Sequence, residues 1–197
     1  MKRIAPLGMA LLLGLAACGG SESADNAPAM EESAAPAAEP AEQEAMSGEM
    51  TQPDWFQADG QNVTIEMVAG KTNKGNYWNF NGYQHGEVTM TVPVGANVTI
   101  HFHNNDPNMA HSLGIVNGFS TPPASIEPTP VFDGAITADP TSMTDATLPG
   151  EDETVTFTAA TAGQYAMVCF IPGHAVSGMW LHFNVSADGE AGVTGAM

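Results

Sequence analysis

Close to its C-terminal end the chain reads Tyr165-Ala-Met-Val-Cys169-Phe-Ile-Pro-Gly-His174-Ala-Val-Ser-Gly-Met179-Trp, with a thiol, an imidazole and a thioether at equal spacing. A strand ending in Cys169, a Pro-Gly turn carrying His174, and a methionine opening the next strand would deliver all three groups to one point. Thiolate and thioether are soft donors, and imidazole suits several transition metals. One Cys and two His in a trigonal plane, with a weak axial Met, is the geometry of blue-copper electron-transfer sites. The second imidazole must come from elsewhere, and His111 in Met109-Ala-His-Ser-Leu-Gly-Ile115 supplies it at the start of an upstream strand. His101 and His103 compete for that role, because His-x-His on one strand face is itself a metal-like spacing. Val98, Ile100 and Phe102 take the inward face there, however, which turns His101 and His103 towards solvent. Outside this pattern Met179 would read as an ordinary core methionine, and His85 and His182 read as surface residues.

The cysteine count sharpens the argument. There are 2 cysteines, and Cys18 stands directly after an apolar segment that begins Lys2-Arg3 and runs from Ile4 to Ala17. That run is too short for a spanning helix, which needs about 20 apolar residues, and reads as an export signal over residues 1–17. Leu15-Ala-Ala-Cys18 resembles the bacterial lipobox, which implies lipidation of Cys18 and an exported, membrane-anchored protein facing the periplasm or the cell exterior. Cys169 is then unpaired in an oxidising compartment, where metal ligation would protect it.

The elements that must hold these residues are strands. Period-two alternation with β-branched and aromatic residues recurs over 62–68, 77–80, 87–92, 97–103, 112–116, 154–158, 164–170 and 179–185. Gly, Pro, Asn and Asp punctuate most gaps, and no stretch carries a convincing helical period. The expected fold is all-β, a Greek-key sandwich or barrel of about eight antiparallel strands over residues 51–197. Between Asn117 and Glu153 a Pro-, Thr- and Asp-rich segment is too long for a hairpin connection, and is expected to cover or present the site. Residues 18–50 are Ala-, Pro- and Glu-rich with no aromatic or β-branched residue, and read as a disordered tether. As a flexible coil that tether would span about 30 Å.

Charge narrows the partners. Past the signal only Lys71 and Lys74 remain against 22 acidic groups. Nucleic-acid binding is excluded, since no basic stripe exists to neutralise phosphates. A basic-surfaced protein partner is favoured, and adaptation to a salty medium explains the same composition.

The order of one early His followed by Cys-x4-His-x4-Met on the last loop resembles the cupredoxin family of type 1 blue copper proteins, and within it rusticyanin and, more closely, sulfocyanin. Trp78-Asn-Phe-Asn-Gly82 is similar to the sulfocyanin signature Phe-Asn-Phe-Asn-Gly, with Trp78 in place of the first Phe. The resemblance covers about Gln61 to Val185 and none of the tether. It implies one copper ion cycling between Cu(I) and Cu(II), held by His111, Cys169, His174 and Met179. It also implies that Ser112, next to the first ligand, ties the two ligand segments together, and that Ile171, Pro172, Ala175 and Val176 form an apolar docking patch around His174. Partners would be redox proteins such as a cytochrome or a terminal oxidase, with the carrier itself a monomer. A copper enzyme would place a His beside the Cys ligand to bridge to a second centre, whereas Val168 and Phe170 flank Cys169 here. A copper chaperone or storage protein would favour an open, Met- and His-rich, thiolate-poor site, for which Met30, Met46 and Met50 of the tether are the only hint.

Overall fold

The computed structural model describes residues 48–195; the expected signal, Cys18 and most of the tether lie outside them. Nine strands are present among the described residues: β1 Phe56–Asp59, β2 Asn62–Ala69, β3 Val88–Pro93, β4 Asn97–Asn104, β5 Gly114–Asn117, β6 Asp152–Thr158, β7 Gly163–Val168, β8 Trp180–Ser186 and β9 Gly192–Gly195. They form two sheets, ordered β1-β2-β4-β6 and β5-β7-β8-β3-β9. The expected Greek-key sandwich is thus the fold, with one correction. Not every pair is antiparallel: β2 lies parallel to β4, and β3 parallel to β8. These pairs join strands distant in sequence, so local patterning carries no sign of their direction.

Alternation explains the core. In β2 and β4 every second side chain points inward, and the register sets Val63 beside Val98, Ile65 beside Ile100 and Met67 beside Phe102. Val88, Met90, Val155, Phe157, Leu181 and Phe183 close the same core from the other strands. Each such side chain contributes about 1.5–3 kcal/mol when fully buried.

The sheet that ends in the Cys169 loop is buried on both faces. Ala166, Val168 and Trp180 point away from the main core and pack with Val116 and Phe170 in a second cluster, against which Phe119, Ile126 and Ile136 rest. Those last residues belong to the long connection between β5 and β6. Its order comes from backbone pairing: Val131 N–H donates to Ile115 O at 2.9 Å, Ile115 N–H to Ala135 O at 3.0 Å, and Thr137 N–H to Leu113 O at 2.9 Å. Phe132, Ala135 and Ala146 reach into the main core. The connection forms an outer layer over the sheet that carries the site.

Residues 77–80 do not form a strand. Lys74–Tyr77 is a short 3-10 turn with Gly75, Asn76 and Tyr77 at positive φ, and Phe80 makes only isolated bridges. Side-chain hydrogen bonds impose this shape. Asn79 Nδ2 donates to Thr72 O and Lys74 O, its Oδ1 accepts from Gly82 N–H, and Asn81 fastens to Glu66 and Val68 of β2.

Candidate metal centre

The Cys-to-Met loop is a tight backbone construction. His174 N–H donates to Ile171 O at 3.0 Å, Gly178 N–H to Ala175 O at 2.9 Å, and Met179 N–H to His174 O at 3.0 Å. Cys169 N–H donates to Met179 O at 3.2 Å, which ties the two ends of the loop together. Gly173 at φ 88° and Gly178 at φ 109° make its two reversals, in backbone regions that an L side chain rarely adopts. At Gly178 a Cβ would also collide with the His85 ring.

His111 arrives from the opposite side. Its N–H donates to Thr147 O at 3.0 Å, and Asn104 Nδ2 bridges Met109 O and Thr147 O, so the long connection anchors the first ligand segment. The Asp106 carboxylate accepts from His111 Nε2 at 2.9 Å. That bond puts the ring proton on Nε2 and leaves the Nδ1 lone pair free, the usual device for aiming a histidine at a metal.

Three donor atoms then meet. His111 Nδ1 lies 3.2 Å from His174 Nδ1 and 3.9 Å from Cys169 Sγ, and Sγ lies 3.5 Å from His174 Nδ1. A trigonal plane with metal bonds of about 2.0 Å to nitrogen and about 2.3 Å to sulfur has edges of about 3.5–3.7 Å. The chain's own geometry therefore fits one ion. Met179 lies at the loop's end, fully buried beside them, while His111 is 0% exposed and Cys169 and His174 are each 1% exposed. Burial pushes the Cys169 thiol up to about 11 and, together with the nearby His111, pulls His174 down to about 3; it also lowers His111 against the opposing pull of Asp106. Without metal the site thus holds a neutral thiol and neutral imidazoles, and metal binding must release the thiol proton.

Residues 53–192 match the family described as the Sulfocyanin (SoxE) domain. The chain belongs to the sulfocyanin family. It is 29% identical to the sulfocyanin of Sulfolobus acidocaldarius over 64% of this chain, and the match spans 64% of that protein's length. It is 31% identical to a rusticyanin of Acidithiobacillus ferrooxidans, over 66% of this chain and 85% of that one. Among solved structures, auracyanin A, a "blue" copper protein of Chloroflexus aurantiacus, is 26% identical, with 64% of this chain and 99% of that chain covered and a TM-score of 0.43. The donor cluster of this sulfocyanin-family chain, His111, Cys169 and His174 with Met179 alongside, is arranged as a type 1 site for one copper ion.

Around these ligands the structure places the remaining residues as follows. Ser112 is buried, its Oγ accepts from Phe170 N–H at 2.9 Å, and it sits 3.7 Å from Cys169 Sγ. His101 is exposed and His103 pairs with Asp152 at 2.8 Å, both away from the site. His85 is exposed, but His182 is half-buried against Trp180, contrary to its reading as a surface residue, because β8 is covered there. Of the four apolar residues expected around His174, Pro172 and Val176 reach the surface, whereas Ile171 and Ala175 are buried by the loop's own turn. Sequence reading missed Asp106, whose partner is defined only by the fold, and it assigned no task to Trp78. The Asn-Pro-rich turn 104–108 before His111 was the available signal for the first.

Proposed function

We propose that this chain is an exported, lipid-anchored electron carrier, passing single electrons between redox proteins of an extracytoplasmic respiratory chain. The observation that carries the reading is the burial of three strong donors and Met179 in a site braced by two ligand segments. Copper bound there supplies a one-electron couple. The braced ligands hold nearly the same shape in both charge states, and their burial favours electron passage over substrate binding or metal handover. Asp106 orients His111, Ser112 Oγ holds the Cys169 segment through Phe170 N–H, and the long connection anchors the His111 segment. Cys18 would carry the anchor, and Pro172 and Val176 offer apolar contact on the loop side.

The test is stopped-flow mixing of the reduced, copper-loaded protein with an oxidised basic c-type cytochrome. Electron exchange without net consumption of any small substrate is expected. Rates should fall as added salt shortens the Debye length to about 8 Å, if the acidic surface takes part in docking. Rapid transfer of copper to a metal-free acceptor, with no electron exchange, would replace the reading by a copper chaperone.

A further inference from the structure

Trp78 is not a ligand, yet its indole lies face to face on the His174 ring, with centroids 4.0 Å apart and planes 20° from parallel. His174 has almost no surface of its own. Trp78 is partly exposed, and residues Lys71 to Asn76 before it are exposed. The indole is therefore a layer between this ligand and solvent.

Its position is costly to maintain. Asn76 and Tyr77 take left-handed backbone conformations immediately before it, where non-glycine residues are strained. Trp78 N–H donates to Gly75 O, and Gln84 Nε2 donates to Trp78 O at 2.8 Å, which fixes the backbone on both sides of the ring. The indole N–H is buried with no hydrogen-bond partner among the described residues. A phenyl ring would cover His174 without that unpaired donor, so shielding alone does not account for an indole.

We propose that Trp78 is the contact through which a redox partner reaches His174, so that electrons enter and leave across the stacked imidazole and indole. This rests on the electron-carrier reading. In the outward step one electron passes from the reduced site to a one-electron acceptor docked against the indole, such as an oxidised haem. With copper bound, the site would give up one electron, Cu(I) becoming Cu(II), and the haem iron would take it, Fe(III) becoming Fe(II). No bond forms or breaks, no proton moves, and Trp78 ends unchanged. The assignment moves the docking surface from the Pro172 and Val176 side to the turn that carries Trp78.

The experiment oxidises the full-length, copper-loaded Cu(I) protein with a cationic cobalt(III) phenanthroline complex and follows the growth of the blue band. Trp78→Leu should lower the second-order rate by about one to three decades, the span seen among variants of one interface. Its blue band and reduction potential should stay near wild type, which a merely structural loss would not allow. Lys71→Glu, on the exposed turn before the ring, should raise the rate with the cationic probe and lower it with hexacyanoferrate(III), because local charge acts within about a Debye length. Val176→Glu, on the loop side of His174, should shift both rates less than Lys71→Glu does. This pair leaves the stack untouched and decides the matter even where Trp78→Leu fails to hold copper. A wild-type rate in Trp78→Leu with its spectrum intact, or a charge effect at Val176 at least as large as that at Lys71, overturns the proposal. A wild-type protein that exchanges no electrons with either probe overturns the electron-carrier reading with it.

Discussion

Replacing Asp106 by Asn keeps the volume of the side chain and changes only what it offers His111. The carboxylate is 2% exposed and accepts from the buried His111 Nε2 at 2.9 Å, while its other oxygen accepts from the N–H groups of Asn108 and Met109 at 2.8 and 3.2 Å. In D106N the oxygen that holds the two backbone donors stays in place and the new amide faces Nε2. The amide donates, so the imidazole turns to the tautomer with its proton on Nδ1, the atom needed for the metal. Losing a hydrogen bond to a charged acceptor costs about 1.5–3 kcal/mol. At about 1.4 kcal/mol per factor of ten, that is about one to two decades in copper affinity, in line with the usual effect of such supporting partners. Copper titration against a competing chelator, read by the blue band, measures it, with melting of the metal-free variant as a check on folding. Wild-type affinity in a folded D106N protein would refute the idea that this carboxylate aims His111.

Met179→Leu should keep a blue, one-copper site with a raised reduction potential, because a weak axial donor to the oxidised ion is lost, and Met179→Gln should lower it; voltammetry showing the same potential in both would make Met179 a core residue. The metal-free protein should lose stability in mild acid. Burial holds the folded-state values of His111 and His174 below the ordinary imidazole value of 6.5, so protons bind the unfolded chain first. The stabilisation is complete above 6.5 and drains away as pH falls towards the folded value of His174, about 3. Melting temperatures that stay flat between about pH 7 and 5 would contradict two buried neutral histidines. Cys18→Ser should leave the spectrum unchanged and release the protein from membranes, and fractionation that still finds it with membranes would count against the lipid anchor.

The donor set was legible because one loop states three of its members in sequence, and because the inward alternation of Val98, Ile100 and Phe102 removed the rival histidines. Most core strands were legible for the same reason, as in the strict alternation of β2 and β4. Two edge strands, β1 and β9, escaped notice, being only four residues each. Residues 77–80 were misread as a strand because Asn79 and Asn81 shape that segment through bonds to backbone atoms outside it. Asp106 looked like any turn residue until the fold set it against His111. The long connection shows no periodicity because backbone bonds to the strand beside it, rather than an alternating face, hold it in place.

The central claim is that Cys169, His111 and His174 close on one copper ion beside Met179, and the visible and paramagnetic resonance spectra of the copper-loaded protein test it most directly. An intense blue Cu(II)–thiolate band at one copper per chain, bleached by one electron, restored on reoxidation and absent from a folded Cys169→Ser variant, is the predicted result. A colourless copper protein, or a thiolate band that survives in Cys169→Ser, would contradict it.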